Sequence, residues 1–252
     1  MTTTIYDNKS GTLATDSRWS TRRGRFLTFV DDTGYNKLVS HKSQLFMFAG
    51  KGNIIDLWKQ WVASNPVNLD LRPPVNGISV CIVNSKINAV VFSEAQQIDS
   101  KEVCIAGSGS EFAFGCWSTN LNAMKAVETA KELDCCSGGE VKFFDCLSGE
   151  NNLKFTAVLQ MPLNSILELN LALLQRGHVM DMNKEINAGI PFKLSELSAA
   201  DGLNELNQLK SDLESGKVSA DAPCLSMHSE WKEDRIAKLD EALAKVFGWN
   251  SQ

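Results

Sequence analysis

The sequence predicts an α+β domain in which antiparallel strands come first and a pair of helices follows them. Three observations carry this prediction. Short apolar runs separated by turn residues fill much of the first hundred residues. Two helical stretches lie side by side near the middle of the chain, between further strands. Single strands and helices do not alternate regularly, as they would in a doubly wound parallel sheet.

The first hundred residues contain three predicted strand pairs and one helix. Asn8-Lys9-Ser10-Gly11 supplies turn chemistry for the first pair. Residues 20–25 form a predicted polar, basic loop, and 65–77, with three prolines, forms another. Asn53 is the predicted N-cap of a helix over 54–63, whose apolar residues share one face. The strand pairs are 2–6 with 12–15, 37–39 with 45–49, and 78–83 with 87–92.

The second half of the chain begins with a predicted strand over 103–106, which enters Gly107-Ser108-Gly109-Ser110. After about Gly149 the pattern becomes mostly helical, which predicts a core over 2–149 and a C-terminal extension over 150–252. The segment 163–174 fits a strand by alternation and a helix by length. Residues 215–223 form a predicted linker. The remaining predicted elements are helices over 111–119, 121–133, 199–213 and 230–247, a loop over 134–139, and strands over 141–145 and 153–160.

Composition excludes several classes of function. The net charge of −5 argues against a nucleic-acid-binding surface. No apolar stretch is long enough for a membrane span, and the start of the chain has no signal-peptide core. Seven cysteines, an odd number without a Cys-x-x-Cys pair, favour a reduced cytoplasmic chain. The three histidines have no metal-ligand spacing, so we expect neither a metal nor another cofactor.

The beginning of the chain has a chemical consequence if Met1 is removed. Thr2 would then carry a hydroxyl and a free α-amine, so that one residue holds a nucleophile and its general base. An α-amine has a pKa of ~8, which suits proton transfer near neutral pH. Many polar N-termini share this composition, so the prediction depends on the companions of Thr2.

Five separated pieces of sequence supply these companions. They occur in the order found in the proteasome β-subunit family, with a helical pair between the last two. Over roughly residues 2–145 the chain resembles that family, including the bacterial HslV-type peptidases. The pieces are Thr2-Thr3-Thr4-Ile5, Gly11-Thr12-Leu13-Ala14-Thr15-Asp16-Ser17-Arg18, Lys37 with Phe48-Ala49-Gly50, Ile105-Ala106-Gly107-Ser108-Gly109-Ser110, and Asp134-Cys135-Cys136-Ser137-Gly138-Gly139.

The resemblance implies a four-layer αββα sandwich of the N-terminal nucleophile (Ntn) hydrolases, and it assigns roles by position. Thr2 is the implied nucleophile, flanked by Asp16 and Lys37, and Gly50 gives a backbone N–H to the oxyanion. A polar network around the amine is assigned to Ser108, Asp134 and Ser137. The implied specificity pocket consists of Trp19, Tyr35, Phe48 and Gly52, for which core packing is the alternative.

The physical chemistry of these residues agrees with those roles. A buried Lys37 ammonium favours the neutral amine and lowers the pKa of the hydroxyl, and Asp16 keeps the lysine charged. A preformed N–H at the oxyanion is worth ~3 kcal/mol of barrier. The interval from Thr2 to Asp16 is about two residues shorter than is usual in the family. An even difference keeps Asp16 on the same sheet face, which favours Thr2 over Thr3.

Our main hypothesis is therefore a self-assembling threonine peptidase that hydrolyses peptide bonds of unfolded polypeptides. The resemblance implies rings or helical stacks of identical subunits. It also implies a separate ATPase, because the chain has no P-loop. A small-molecule Ntn amidase on the same fold is one alternative. A catalytically silent scaffold is another, and retention of Met1 would produce it.

Overall fold

The protein is a mixed α/β structure with antiparallel sheets and, among the described residues, six α-helices. This computed structural model describes residues 2–154, 163–183, 191–196 and 204–248. The helices are α1 (Gly52–Ala63), α2 (Ser110–Asn120), α3 (Ala123–Leu133), α4 (Ile166–Arg176), α5 (Asn204–Glu214) and α6 (Glu233–Phe247). The strands are β1 (Thr4–Asp7), β2 (Thr12–Thr15), β3 (Trp19–Arg23), β4 (Phe26–Val30), β5 (Leu38–His41), β6 (Gln44–Gly50), β7 (Ile78–Asn84), β8 (Ala89–Glu94), β9 (Ile98–Asp99), β10 (Val103–Ala106), β11 (Lys142–Asp145), β12 (His178–Asp181) and β13 (Phe192–Lys193).

These strands form three antiparallel sheets. The first has the order β11-β2-β1-β10-β9, so β1 lies at its centre. The second has the order β13-β12-β4-β3, and the third has the order β5-β6-β7-β8. Strand β12 therefore joins a sheet with strands from the first 30 residues, through the register Val179↔Thr28. The division of the chain at residues 149 and 150 stays a prediction.

Alternation along the central strands decides what each sheet face packs against. On the first sheet, Ile5 and Ile105 face α2 and α3, where they pack with Trp117 and Val127. On the opposite face, Tyr6 and its neighbours Leu13 and Cys104 pack against the third sheet through Leu45, Met47, Cys81 and Val83. The other side of the third sheet packs on α1. The end of β1 that carries the threonines thus lies at the contact between two sheets.

Two sequence predictions about local structure are wrong. Residues 20–25 are not a loop, because β3 pairs with β4 along five residue pairs around a turn at Gly24. Asn53 is not the N-cap of α1. The helix begins at Gly52, and the N–H of Gly52 donates to the Asp221 carboxylate, 169 residues away in sequence, at 2.8 Å. The Asp221 carboxylate therefore binds the first N–H of the helix, in place of the local N-cap side chain that the sequence predicted.

Other predictions are resolved or lie outside the described residues. The ambiguous segment 163–174 is helical from Ile166 and is capped by Ser165, whose hydroxyl accepts from the N–H of Glu168. Strands β3, β4, β9, β12 and β13 were not predicted. Most of the strand expected over 153–160 and the first turn of the helix expected over 199–213 lie outside the described residues. Within the described parts of the chain, no helix has the length and apolarity that crossing a bilayer requires.

Candidate active site

Thr2, Asp16 and Lys37 meet where the first and third sheets come together. The β1–β2 register pairs Thr4 with Thr15, so Asp16 lies opposite Thr3 and its N–H donates to the Thr3 carbonyl at 3.2 Å. The Asp16 side chain reaches the hydroxyl of the adjacent Thr2. Lys37 directly precedes β5, and its carbonyl accepts from the N–H of Phe48 in β6 at 3.1 Å. Sheet pairing thus places these three residues, which come from three separate parts of the sequence.

The Thr2 hydroxyl has two charged partners. It donates to Asp16 Oδ1, and it accepts from Lys37 Nζ at 2.5 Å. Lys37 Nζ also donates to Asp16 Oδ1 and to the Asp16 carbonyl, both at 3.0 Å. A hydroxyl held between an ammonium and a carboxylate is oriented, and its oxygen is stabilised as negative charge develops on it.

The ion pair at this site is buried. The side chains of Lys37 and Asp16 are 1% and 0% exposed. Burial lowers the pKa of Lys37, and the adjacent Asp16 carboxylate opposes that shift. The other carboxylate oxygen of Asp16 accepts from the backbone N–H groups of Arg18 at 3.1 Å and Gly138 at 3.2 Å. These two N–H groups help to solvate the buried Asp16 carboxylate, because its ion pair with Lys37 alone does not offset the cost of burial.

Ser108, Asp134 and Ser137 form a second polar group beside the first. Asp134 Oδ2 accepts from Ser108 Oγ at 2.6 Å and from Ser137 Oγ at 2.8 Å. Ser137 Oγ in turn lies 2.8 Å from Thr3 Oγ1. The structure therefore connects this network to the Thr3 side chain. The backbone N–H of Thr2 has a different partner, the Pro223 carbonyl, at 3.2 Å.

Two glycines allow the backbone to approach the site. Gly50 has φ +125°, and a Cβ there would lie 2.3 Å from the Gly77 carbonyl oxygen. Its N–H donates to the Ala222 carbonyl. Gly107 has φ +103°, and a Cβ there would lie 1.9 Å from the Thr2 carbonyl oxygen. Neither position accepts a side chain without displacing the backbone that places Thr2 or the N–H of Gly50.

We predict that Gly107→Ala destabilises the protein by ~2 kcal/mol or more, because it adds backbone strain to a steric overlap with Thr2. The matched control is Gly115→Ala in α2. A Cβ there meets nothing within 4 Å, and alanine favours helix by ~1 kcal/mol, so this variant should be more stable than the parent. Urea unfolding measures both changes. Equal stability of the two variants would contradict the close approach at Gly107.

The residues expected to line a specificity pocket are buried. Trp19, Tyr35 and Phe48 belong to the largest hydrophobic core, and Trp19 Nε1 donates to the Tyr35 carbonyl at 2.7 Å. The side chains of Ala220 and Ala222 lie in the same core, each 0% exposed. The residues of the expected pocket therefore share one hydrophobic core with Ala220 and Ala222 of the same chain.

Sequence reasoning missed two groups of residues near the site. Arg18 makes a two-pronged ion pair with Asp31, with Nε–Oδ1 and Nη2–Oδ2 distances of 2.8 and 2.7 Å. An arginine two residues after Asp16 is a weak signal, since nothing in the sequence identifies Asp31 as its partner. The second group is the segment 219–223, which was predicted to be a linker. Its pairing is entirely non-local, so no local pattern could have revealed it.

One cluster near the site has ligand types that metals use. Ligand atoms of Asp134, Cys135 and Cys136 lie within 4.8 Å of one another. However, Asp134 Oδ2 already accepts from two serine hydroxyls, and Asp134 Oδ1 accepts from the Cys136 N–H at 3.2 Å. These bonds use the carboxylate within the polar network, so we assign the cluster no metal.

Comparisons with known proteins give distant likenesses. No protein-family model and no curated protein matches the chain. Among solved structures, the chain is similar to BPH from Thiobacillus denitrificans in complex with epoxomicin, at 17% identity and a TM-score of 0.42, covering 57% of this chain and 97% of that one. A second structure of the same BPH has 16% identity and a TM-score of 0.34, covering 50% and 95%. Eukaryotic HslV from Trypanosoma brucei has 15% identity and a TM-score of 0.29, covering 51% and 99%. Because all three TM-scores lie below 0.5, these likenesses do not establish the family of the chain.

Proposed function

We propose that the chain is a threonine peptidase of the proteasome-like, N-terminal nucleophile type, built on an αββα sandwich. The observation that carries the proposal is the contact of one hydroxyl, that of Thr2, with both Asp16 and Lys37. Peptide bonds of unfolded polypeptides are the proposed substrates. The reaction requires no metal or organic cofactor.

In the proposed reaction, removal of Met1 frees the α-amine of Thr2. The amine takes the proton of the Thr2 hydroxyl, and Oγ1 attacks the carbonyl carbon of the substrate. The N–H of Gly50 stabilises the resulting oxyanion. The C–N bond then breaks, the amine product leaves with the proton, and an ester to Thr2 remains. Water hydrolyses this ester with the α-amine again acting as base.

The charged neighbours of Thr2 support this sequence of steps. The Lys37 ammonium stabilises negative charge on Oγ1 and disfavours a second positive charge on the nearby amine. Asp16 holds the lysine and orients the hydroxyl. Ser108, Asp134 and Ser137, which reach Thr3 in the structure, are proposed to relay protons beside the amine.

Intact-protein mass tests the processing step on which the proposal depends. We expect a mass lacking one methionine, followed by an increase equal to one inhibitor molecule after reaction with a peptide epoxyketone, an electrophile directed at N-terminal threonine. Thr2→Ala should not be labelled. Retention of Met1 in protein that hydrolyses peptides, or equal labelling of both chains, would overturn the assignment of Thr2.

Mass measurement identifies the silent scaffold, and a substrate assay separates the amidase from the peptidase. A small-molecule amidase would lose Met1 and react with the electrophile, but it would cleave acyl amides and not unfolded protein. A silent scaffold would keep Met1 and remain unlabelled. The peptidase is favoured over the scaffold because a structural role alone does not require a buried lysine and aspartate on the hydroxyl of Thr2.

Self-assembly is part of the proposal, and the outer surface of α2 and α3 supports it. Large apolar side chains are exposed on both helices and between them, and such side chains mark protein–protein contacts where they form a contiguous patch. We propose that another copy of the chain covers them in a ring or helical stack, and that a separate ATPase supplies substrate. Free thiols at all seven cysteines agree with a cytoplasmic setting. The exposed side chains are Phe112, Phe114, Leu121, Met124 and Leu133.

A further inference from the structure

The segment 219–223 lies in the cleft between β3 and the end of β6 as an extended, antiparallel strand. Asp221 exchanges two backbone hydrogen bonds with Ser20, with N–O distances of 3.0 and 2.8 Å. Ala222 exchanges another two with Gly50, and the bond from the Ala222 N–H measures 2.8 Å. The segment therefore connects two sheets that do not pair with each other directly.

The cleft is a place where strand edges are open. Among the strands of the described residues, β3 is at the edge of its sheet. Strand β5 pairs with β6 only as far as Leu38↔Met47, so Gly50 lies beyond the end of β5. Unpaired N–H and C=O groups at such edges are ready to pair with another strand. A peptide that binds them is held mainly through its backbone, as in β-strand addition.

Side chains of the segment add to its attachment. Ala220 and Ala222, which point the same way along a strand, are both 0% exposed in the main core. Between them, the Asp221 carboxylate accepts from the N–H of Gly52, the first residue of α1, and from the Ser219 hydroxyl at 3.1 Å. Burial raises the pKa of Asp221 to about 6, while the Gly52 N–H opposes the shift.

The segment also covers the candidate nucleophile. The N–H of Gly50 donates to the Ala222 carbonyl, and the Thr2 N–H donates to the Pro223 carbonyl at 3.2 Å. Two successive carbonyls of the segment therefore accept from the proposed oxyanion donor and from the proposed nucleophilic residue. Thr2 is 0% exposed, so its hydroxyl is closed to an external peptide in this structure.

We infer that residues 219–223 are an internal occupant of a peptide-binding cleft and must leave it before an external peptide binds. The Ala222 carbonyl takes the position of the carbonyl that would be attacked. The external ligand is an extended peptide with small apolar side chains at the positions of Ala220 and Ala222. The catalytic meaning of this inference rests on the proposed function, but the binding itself does not.

A tethered segment competes strongly because it belongs to the same molecule. Its effective concentration reaches the millimolar range, so it lowers the apparent affinity of the cleft for free peptide. The apparent affinity for free peptide is proportional to the fraction of molecules in which the cleft is open. Weakening the attachment of the segment should therefore raise peptide affinity without any change in the cleft itself.

The test compares peptide binding in chains that carry Thr2→Ala, so that hydrolysis cannot occur. The probe is a fluorescein-labelled peptide with the sequence of residues 217–223, measured by anisotropy. Asp221→Lys removes the acceptor for the Gly52 N–H and adds a cation near Lys51, while Ala222→Arg places a long charged side chain at a buried position. The matched control is Asp234→Lys, at an exposed position of α6.

We expect each segment variant to bind the peptide about tenfold or more tightly than the parent and the control. If neither variant binds more tightly, or if both unfold, the segment is a fixed part of the fold and the inference is overturned.

Cleavage of a fluorogenic peptide by the same variants with Thr2 intact separates the two proposals. Tighter binding without cleavage in any chain would sustain the inference and remove the peptidase. Cleavage that both variants leave unchanged, together with unchanged binding, would sustain the peptidase and remove the inference.

Discussion

Thr2→Ala is expected to abolish peptide hydrolysis while the protein remains folded. The Thr2 side chain supplies the hydroxyl that contacts both Asp16 and Lys37. Removing a nucleophile of this kind costs ~10⁴-fold or more in turnover, because the remaining groups cannot form the covalent intermediate. Steady-state cleavage of a fluorogenic peptide measures the loss, and circular dichroism confirms that the fold is retained.

Thr4→Ala is the matched control for this loss. Thr4 lies two residues further along the chain and is also buried, and its hydroxyl donates to the Ala106 carbonyl at 3.3 Å. Its removal should reduce the rate by less than about tenfold, since it touches no proposed reacting group. Thr2→Ser, which keeps a hydroxyl, should retain measurable activity. Hydrolysis by Thr2→Ala at the parental rate would exclude Thr2 as the nucleophile.

The resemblance to the proteasome β-subunit family brought Thr2, Asp16 and Lys37 into one predicted site, and local patterns predicted the hairpin that carries the first two. Thr2 and Asp16 flank a hairpin, and a period of two along each strand fixes which side chains share a face. The same alternation explains why Thr3, one residue later, points to Ser137 and not to Lys37. A hairpin turn is read from a few adjacent residues, which is why the sequence located β1 and β2.

The segment 219–223 could not be located by the same means. Its alternation is limited to Ala220 and Ala222, which is too short a pattern to predict a strand. Its hydrogen bonds join residues about 200 and 170 positions apart, to Ser20 and to Gly50. The N-cap of α1 was misassigned for the same reason, since the carboxylate at that N-terminus belongs to Asp221. Pairings of this kind are tertiary, and local propensity does not encode them.

Lys37→Met is expected to cost both activity and stability. The substitution removes the ammonium that contacts Thr2, and it leaves the Asp16 carboxylate buried without its counter-charge. An uncompensated buried charge costs ~3–5 kcal/mol of folding free energy. Turnover should fall by ~10³-fold or more, because charge on the Thr2 oxygen is no longer stabilised. Urea unfolding and peptide cleavage measure the two effects separately.

The double variant Asp16→Asn/Lys37→Met separates burial from catalysis. Replacing the carboxylate removes the unpaired charge, so we expect most of the lost stability to return, as happens when buried ion pairs are replaced whole. Activity should stay absent, since neither charged partner of Thr2 remains. Lys142→Met is the matched control for a buried lysine. Its side chain is 4% exposed, but its partner Glu140 is 49% exposed and keeps its hydration. This control should therefore lose only ~1 kcal/mol. Recovery of hydrolysis together with stability in the double variant would show that Lys37 serves the fold alone and would remove it from the proposed mechanism.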